Sequence, residues 1–137
     1  VRTHNGVGHS RTFPALGEHP ANTVAAGQAV VIPNLSNHPD YRCSVVLVNP
    51  TPVPVPALVQ IYASDGSPVV SVSRILMPYE MNVIADELRL PAAPPFSNAT
   101  VRIDVPEEAD SGYLLTTGQT ANNYSNDPAA HTAVQAQ

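Results

Sequence analysis

Lysine and tryptophan are absent from this sequence, and charged residues of either sign are scarce. All six basic residues are Arg, charged residues make up 12% of the chain, and the formal net charge is −5. Binding to a nucleic acid backbone or to an anionic membrane surface depends on a basic patch, which this composition does not supply. We therefore expect no nucleic acid partner. A surface solvated mainly by Asn, Ser and Thr suits an extracellular or cell-surface location.

Long hydrophobic runs are missing as well. No stretch approaches the roughly 20 apolar residues that span a bilayer, so we expect no membrane insertion. The sequence opens without an initiator Met or a signal peptide, which is typical of a processed mature chain or of a fragment of a longer one.

Cysteine occurs once, at Cys43, which excludes a disulfide within the chain. The residue lies in a strand-like run, where a lone Cys is usually a small buried hydrophobic side chain. We expect that role here. An intermolecular disulfide or a reactive thiol is the alternative.

The residues that are abundant favour β-structure. Val and Ala dominate the apolar fraction of 43%, and Val prefers the half-buried surface of a sheet. Fifteen Pro and seven Gly make many short elements separated by turns more favourable than long helices. We therefore predict an all-β fold, an Ig-like antiparallel β-sandwich of seven or eight strands.

The chain divides into two parts. Residues 1–28 contain three of the five His and four of the seven Gly and show no sustained alternation, which predicts an extended arm or linker with one short strand around Thr12 and Phe13. Residues 29–137 form the predicted sandwich domain. Its predicted strands, which come at the spacing of a sandwich, cover 29–32, 41–49, 57–63, 68–76, 79–84, 99–105, 112–118 and 132–134.

Three local features refine this prediction. In the predicted strand 41–49, polar and apolar residues alternate at first, but Val then occurs on both faces. This pattern predicts a central strand that is covered on both sides. Gly66 follows Ser64 and Asp65 and can take the positive φ of a tight hairpin turn. Each Pro in the run 52–56 lacks the backbone N–H that a sheet ladder needs, so we place this run at a sheet edge, where it resists the addition of further strands. The alternative is a polyproline segment that a partner recognises. We also expect a short helical turn at 85–88.

Several motifs together resemble a recurrent β-sandwich module of bacterial secreted and cell-surface proteins. They are VIP at 31–33, YRCSVVLVNP at 41–50, IYASDG at 61–66, LMPY at 76–79 and NNYSNDP at 122–128. The sequence departs from this pattern at Cys43, where Thr is usual, and in its Pro-rich run. Residues 2–5 and 11–13 resemble the tail of a preceding copy, since such modules often occur in tandem. The resemblance implies an Ig-like sandwich outside the cell and implies no chemistry.

Motifs for catalysis or for transition-metal binding are absent: we find no HExxH, no paired CxxC and no GxSxG. We therefore predict no enzymatic activity, no catalytic residues and no cofactor. Four carboxylates near one loop, on Asp104, Glu107, Glu108 and Asp110, are weak candidates for Ca²⁺ ligands. A solvated acidic turn is the simpler interpretation.

Three acceptor sequons for N-glycosylation begin at Asn34, Asn98 and Asn123. All three lie in predicted loops or at predicted strand ends, where a glycan has room. Chance sequons are common in chains rich in Asn, Ser and Thr, so they are candidates only.

Two functions follow from this description. The first is a non-catalytic extracellular structural module, a fibre or surface-assembly subunit whose arm, through Thr12, Phe13 and Leu16, adds a strand to a copy of itself or to a neighbouring domain. The alternative is an accessory domain of a larger secreted protein that binds glycan or protein. Its contacts would come from four aromatic residues in predicted loops: Tyr41, Tyr79, Phe96 and Tyr124.

Overall fold

A computed structural model describes residues 2–4, 10–12, 23–89 and 92–136, and strands are the main secondary structure in these ranges. The strands are β1 (Arg2–His4), β2 (Ser10–Thr12), β3 (Thr23–Ala25), β4 (Ala29–Asn37), β5 (Tyr41–Val48), β6 (Val55–Tyr62), β7 (Pro68–Leu76), β8 (Met81–Ile84), β9 (Phe96–Asp104), β10 (Tyr113–Asn122), β11 (Pro128–Thr132) and β12 (Val134–Gln135). In these ranges the helical segments are two three-residue 3-10 turns, Asp86–Leu88 and Glu107–Ala109. The first confirms the helical turn expected at 85–88.

Ten of the strands form two five-stranded sheets in which every pairing is antiparallel. Sheet I has the order β11-β10-β5-β8, and β3 pairs with β10 beside β11. Sheet II has the order β12-β4-β9-β6-β7. The prediction of an all-β antiparallel sandwich is confirmed, with ten sandwich strands where we expected seven or eight. The remaining two strands, β1 and β2, pair with each other.

Alternating burial shows where the core lies. In β6, every second residue from Val55 to Ile61 is buried, and in β5 the buried positions are Cys43, Val45 and Leu47. Alternate side chains of a strand point to opposite faces, so these rows face the second sheet. Each fully buried Val or Leu contributes about 1.5–3 kcal/mol relative to an exposed one. Removal of these apolar side chains from water therefore stabilises the sandwich.

The prediction for β5 is half confirmed. The strand is central, because it lies between β10 and β8. Its second face is not covered as expected: Val46 and Val48 are only half-buried. Val is tolerated there because a sheet surface that is partly shielded by neighbouring side chains suits β-branched residues.

Proline at two positions misled the sequence prediction. Strand β4 does not end at Pro33 but continues to Asn37 through register shifts, with Asn34 at φ 67°. Asn is one of the few residues other than Gly that adopts this conformation readily, so the strand bulges and continues. The run 52–56 is not at a sheet edge, since Pro56 lies in β6, an interior strand. Pairing of β6 with β9 begins only at Leu58, so at Pro56 the strand has a ladder partner on the β7 side alone.

The ends of the sandwich also differ from the prediction. The predicted strand 132–134 is divided between β11 in sheet I and β12 in sheet II, with buried Ala133 between them. At the other end, β3 pairs with β10 and Val24 is fully buried, so the sandwich extends to Thr23, beyond the boundary that we placed at residue 29.

The hairpin turn between β6 and β7 forms as the sequence predicts. Gly66 has a φ of 85°, a conformation that favours Gly. The carboxylate Oδ1 of Asp65 accepts hydrogen bonds from the backbone N–H of Ser67 (2.9 Å) and from its hydroxyl (2.6 Å). These two bonds lower the pKa of Asp65.

Candidate functional site

The four carboxylates considered for Ca²⁺ do not converge. Arg102 donates three hydrogen bonds of 2.8–3.1 Å to the carboxylate of Asp104. Glu107 and Glu108 are exposed on a 3-10 turn, and Asp110 follows it with a φ of 53°. Within residues 23–89 and 92–136, no group of three or more His, Cys, Asp or Glu side chains is arranged to hold a metal ion.

Two of the three sequons meet on sheet II. Asn34 and Asn98 are exposed, both have a positive φ, and their neighbours Leu35 and Ala99 are register partners. The hydroxyl of Ser36, the third residue of the first sequon, accepts the backbone N–H of Asn98 (3.1 Å).

The Asn of the third sequon already forms hydrogen bonds within the protein. The side chain of Asn123 accepts a hydrogen bond from Arg42 (2.8 Å) and donates one to the carbonyl of Pro39 (3.0 Å). Glycosylation at Asn34, Asn98 and Asn123 stays a prediction.

The aromatic candidates separate into two groups. Phe96 is 6% exposed and belongs to the core, so it is not available as a surface contact. Tyr41, Tyr79 and Tyr124 are exposed by 38%, 71% and 78%. A hydrogen bond to the carboxylate of Asp40 raises the pKa of Tyr124.

The arm residues are only partly within the described chain. Thr12 lies in β2 and is the register partner of Arg2 in β1. Phe13 and Leu16 lie outside the described residues.

Exposed apolar side chains gather along the junction of β7 and β8. At every second position from the end of β7 to β8, a large apolar side chain is 49–71% exposed. We call this row the β7–β8 strip; it consists of Ile75, Met77, Tyr79, Met81 and Val83. Leu76, between Ile75 and Met77, and Ile84, directly after Val83, are fully buried, so at its two ends the strip lies opposite the core. The residues that alternate with the rest of the strip are half-buried: Pro78, Glu80 and Asn82.

Hydrogen bonds stabilise the turn that carries the strip. The carboxylate of Glu80 accepts the backbone N–H of Met77 (2.6 Å), and the backbone N–H of Glu80 returns to the carbonyl of Met77 (3.1 Å). The carbonyl of Glu80 accepts the N–H of Asn49 (2.8 Å). Tyr79 adopts a φ of 63° within this turn. These bonds hold the exposed side chains in a fixed position.

A cavity of about 460 Å³ adjoins the strip at Ile75. Its lining is mainly apolar and consists of Pro56, Ala57, Leu58, Ser73, Arg74, Ile75, Asp104 and Pro106. The cavity lies where β6 extends past the end of its pairing with β9, because no β9 residue faces Pro56 or Ala57 across the ladder.

A second surface is polar and contains two Arg. Two cavities of about 360 Å³ each share Arg42 and Arg89 in their linings. We call the pair the arginine groove. One cavity is lined by Arg42, Cys43, Ser44, Val83, Ala85, Arg89, Gln119 and Ala121, and the other by Asn37, His38, Pro39, Tyr41, Arg42, Arg89 and Asn123. The groove opens where β5 extends beyond β8, since β8 pairs only with residues 45–48 of β5.

Hydrogen bonds fix the walls of this groove. Arg42 donates to the side-chain oxygens of Asn123 (2.8 Å) and Asn126 (3.0 Å). The ring of His38 meets the ring of Tyr41 edge to face, with centroids 5.0 Å apart. Nδ1 of His38 accepts the backbone N–H of Asp40 (3.3 Å) and lies 3.9 Å from the carboxylate of the same residue.

Cys43 lines the groove but does not supply a nucleophile. Its side chain is buried, and burial raises the pKa of the thiol to about 12. A thiolate is the reactive form of Cys, so this thiol is unreactive near neutral pH. The expected role as a small buried hydrophobic side chain is confirmed.

Sequence reasoning missed the groove. Arg42 and Arg89 are separated by 46 residues, and nothing between them marks a shared site. A single sequence does not reveal which distant strand ends meet.

Comparisons with known proteins show the fold and no more. No protein-family model matches this chain. No curated protein matches it either. A crystal structure of Thermotoga maritima 1070 resembles it with a TM-score of 0.58 at 9% sequence identity, covering 81% of this chain and 94% of that one. The Anabaena sensory rhodopsin transducer aligns with a TM-score of 0.49 at 16% identity, covering 74% and 88%. At 9% identity, the likeness to the Thermotoga structure shows a shared fold alone.

Within the described ranges, no helix has the length and apolar character needed to cross a membrane.

Proposed function

We propose that this chain is a non-catalytic structural module that joins copies of itself outside the cell. The β7–β8 strip carries the proposal. Its five large apolar side chains lie within nine residues and are each 49–71% exposed, and exposed apolar surface of this kind marks contact sites for other proteins. The sparse charge of the sequence and its resemblance to secreted modules support the extracellular location.

The exposed sheet edge beside the strip supports assembly of copies by strand addition. Strand β7 is nine residues long and forms the margin of sheet II, with β6 as its ladder partner on the inner side. Its outer backbone groups are a template for a further strand. After Pro68 at its start, β7 has no further Pro and one charged residue, Arg74, so little along the strand blocks such pairing.

The occupant of this margin in the proposal is the N-terminal arm of a second copy. Strands β1 and β2 have three residues each and pair with each other, and a two-stranded hairpin is marginal in water without a sheet to dock on. Residues 1–22 span up to about 70 Å when extended, enough to reach a neighbouring molecule. Phe13 and Leu16 are the arm side chains suited to the apolar cavity beside Ile75.

Charge favours the same pairing. Residues 1–22 contain two Arg and one Glu, a formal charge of +1, whereas residues 23–137 contain four Arg and ten Asp or Glu, a formal charge of −6. Opposite net charges promote encounter between the arm of one copy and the body of the next. A contact between two different surfaces repeats without closing and produces a filament.

Sedimentation velocity of the full chain over a range of concentrations tests the proposal. We expect concentration-dependent oligomers that are lost in Ile75→Asp and in the arm variant Phe13→Ser/Leu16→Ser. The matched control is Val134→Asp, which places the same charge at an exposed Val on β12, away from the strip. A wild-type chain that stays monomeric, or oligomers that survive Ile75→Asp, would reject this function.

A second candidate is the accessory binding domain, and the exposed Tyr41 and Tyr124 favour it. Asn123, next to Tyr124, is joined to Arg42, next to Tyr41, by a 2.8 Å hydrogen bond, so the two Tyr belong to neighbouring segments. Exposed aromatic faces commonly contact sugar or protein ligands. A glycan-array signal that Tyr124→Ala removes and Tyr79→Ala leaves intact is the expected result. Equal loss in both variants would count against this candidate.

A further inference from the structure

We propose that the arginine groove binds an oxyanion, the carboxylate or phosphate group of a small polar ligand. The inference does not depend on assembly through the strip. It rests on two guanidinium groups in a lining without carboxylates, on the fixed position of one of them and on a buried donor that lacks a partner within the described residues.

The charge of the groove is not neutralised by the residues that line it. Within the described residues, Arg74 forms an ion pair with Glu87, and Arg102 with Asp104. Arg42 instead donates to two neutral amide oxygens. Neither cavity of the groove has an Asp or Glu in its lining. The nearest carboxylate on the His38 side is that of Asp40, 3.9 Å from Nδ1 of His38.

Arg89 adds a second guanidinium to the same walls. Its contact with Asp86 is 3.5 Å long, and the Asp86 side chain is 93% exposed, so solvent screens that pair strongly. Two guanidinium groups that line one groove repel each other, and an anion between them relieves that repulsion.

Arg42 is positioned before any ligand arrives. Its two hydrogen bonds to Asn123 and Asn126 leave three of the five guanidinium N–H donors for a ligand. The loop that supplies these acceptors is itself fixed: the side-chain oxygen of Asn122 accepts the N–H groups of Tyr124 (2.8 Å) and Ser125 (3.1 Å). A donor held in place in advance loses less conformational entropy on binding.

Asn37 is the independent observation that points to a ligand. Its side chain is 3% exposed, it lines the groove, and its Nδ2 has no hydrogen-bond partner within the described part of the chain. A buried amide donor without a partner is costly, so native proteins nearly always satisfy one. The surface of Nδ2 itself is closed in this structure, so a rotation of the Asn37 side chain is needed before an oxygen of a bound carboxylate or phosphate can satisfy it. The other two unpartnered buried atoms, on Asn82 and Thr116, do not line the groove.

The size of the groove limits the ligand. Each cavity measures about 360 Å³, which is in the lower part of the range for small-molecule sites. Tyr41 and His38 supply an aromatic wall on one side. A ligand of the size of one acidic sugar or one phosphorylated metabolite fits this description.

Isothermal titration of the full chain with three probes tests the inference: inorganic phosphate, glucuronate and glucose. We expect saturable binding of phosphate, glucuronate or both, weakened by added NaCl, and no binding of glucose. Phosphate alone identifies a phosphate site, and glucuronate alone a carboxylate site. Glucose binding as tight as glucuronate binding, or no saturable binding of either anion, would overturn the proposal.

Four variants locate the site. Arg42→Gln and Arg89→Gln should each weaken anion binding roughly tenfold or more, because a charge-assisted hydrogen bond is lost. Arg89 is exposed, so its variant is expected to fold even if Arg42→Gln does not. Asn37→Leu removes the unpartnered donor and should weaken binding without lowering the melting temperature. Arg74→Gln removes the same charge elsewhere and should leave binding unchanged; equal weakening in this control would contradict a local site.

Discussion

The side-chain oxygen of Asn49 accepts two hydrogen bonds from Thr51, one from its backbone N–H (3.0 Å) and one from its hydroxyl (2.6 Å). Both residues are buried. The amide nitrogen of Asn49 lies 2.8–3.1 Å from the carbonyls of Val53, Leu76 and Met77. One side chain therefore fastens the loop before β6 to the end of β7, where the β7–β8 strip begins.

We predict that Asn49→Leu lowers the free energy of unfolding by about 1–3 kcal/mol, because buried backbone carbonyls lose their donor. Urea denaturation followed by circular dichroism measures this change. Ser71→Ala, an exposed substitution on β7, is the control and should stay within about 0.5 kcal/mol of wild type. Equal stability of the two variants would show that the Asn49 bonds contribute little.

The buried thiol of Cys43 predicts a loss of stability at high pH. Burial raises its pKa from 9.0 to about 12, so the folded chain holds this proton more tightly than the unfolded chain. The resulting stabilisation is complete below pH 9 and is lost as the pH rises from 9 towards 12. Unfolding curves of wild type and Cys43→Val between pH 8 and 11 should therefore converge or cross, since only wild type carries this ionisation.

A thiol reagent gives an independent measurement at Cys43. At pH 8 the folded chain should react with a disulfide probe far more slowly than the chain in urea, because the thiol is both buried and protonated. Rapid labelling of the folded chain would contradict this prediction and would restore the reactive thiol that the sequence left open.

Gly118 predicts a steric effect at the contact between the sheets. A Cβ atom added at this position in β10 would lie 2.8 Å from a methyl carbon of Ile32 and 3.2 Å from one of Leu35, both in β4. We expect Gly118→Ala to cost about 1–3 kcal/mol of stability, the usual range for overpacking. The melting temperature measures it, and the double variant Gly118→Ala/Ile32→Ala should lose less than the sum of the two single variants.

The sequence predicted strand bounds well where a single residue determines the local backbone conformation. Strand β7 begins and ends where the sequence placed it, because Gly66 sets the turn before it and alternation is clear within it. Pro33 misled because its effect depended on Asn34, which let the strand bulge and continue. Pro56 misled because it is tolerated in an interior strand only where β9 has no residue to pair with it. Where β9 ends depends on the tertiary structure.

The sequence did not predict the candidate site, because its residues also meet only through the tertiary structure. The sequence singled out aromatic and acidic residues, of which Phe96 is in the core and Asp104 is bound to Arg102. The groove is instead formed by Arg42 and Arg89 with Asn37. Their meeting depends on the offset between β5 and β8, and no run of consecutive residues encodes that offset.

The division of residues 128–135 between β11 and β12 has a consequence for biosynthesis. This segment supplies a margin strand to each sheet in turn, and Ala133 is buried at the crossing. Sheet I lacks its β11 strand until the ribosome has released position 132, and sheet II lacks β12 until it has released position 135. While the chain is still being made, β10 and β4 are thus left open to mispairing, and a nonsense mutation shortly before Pro128 would leave both open permanently.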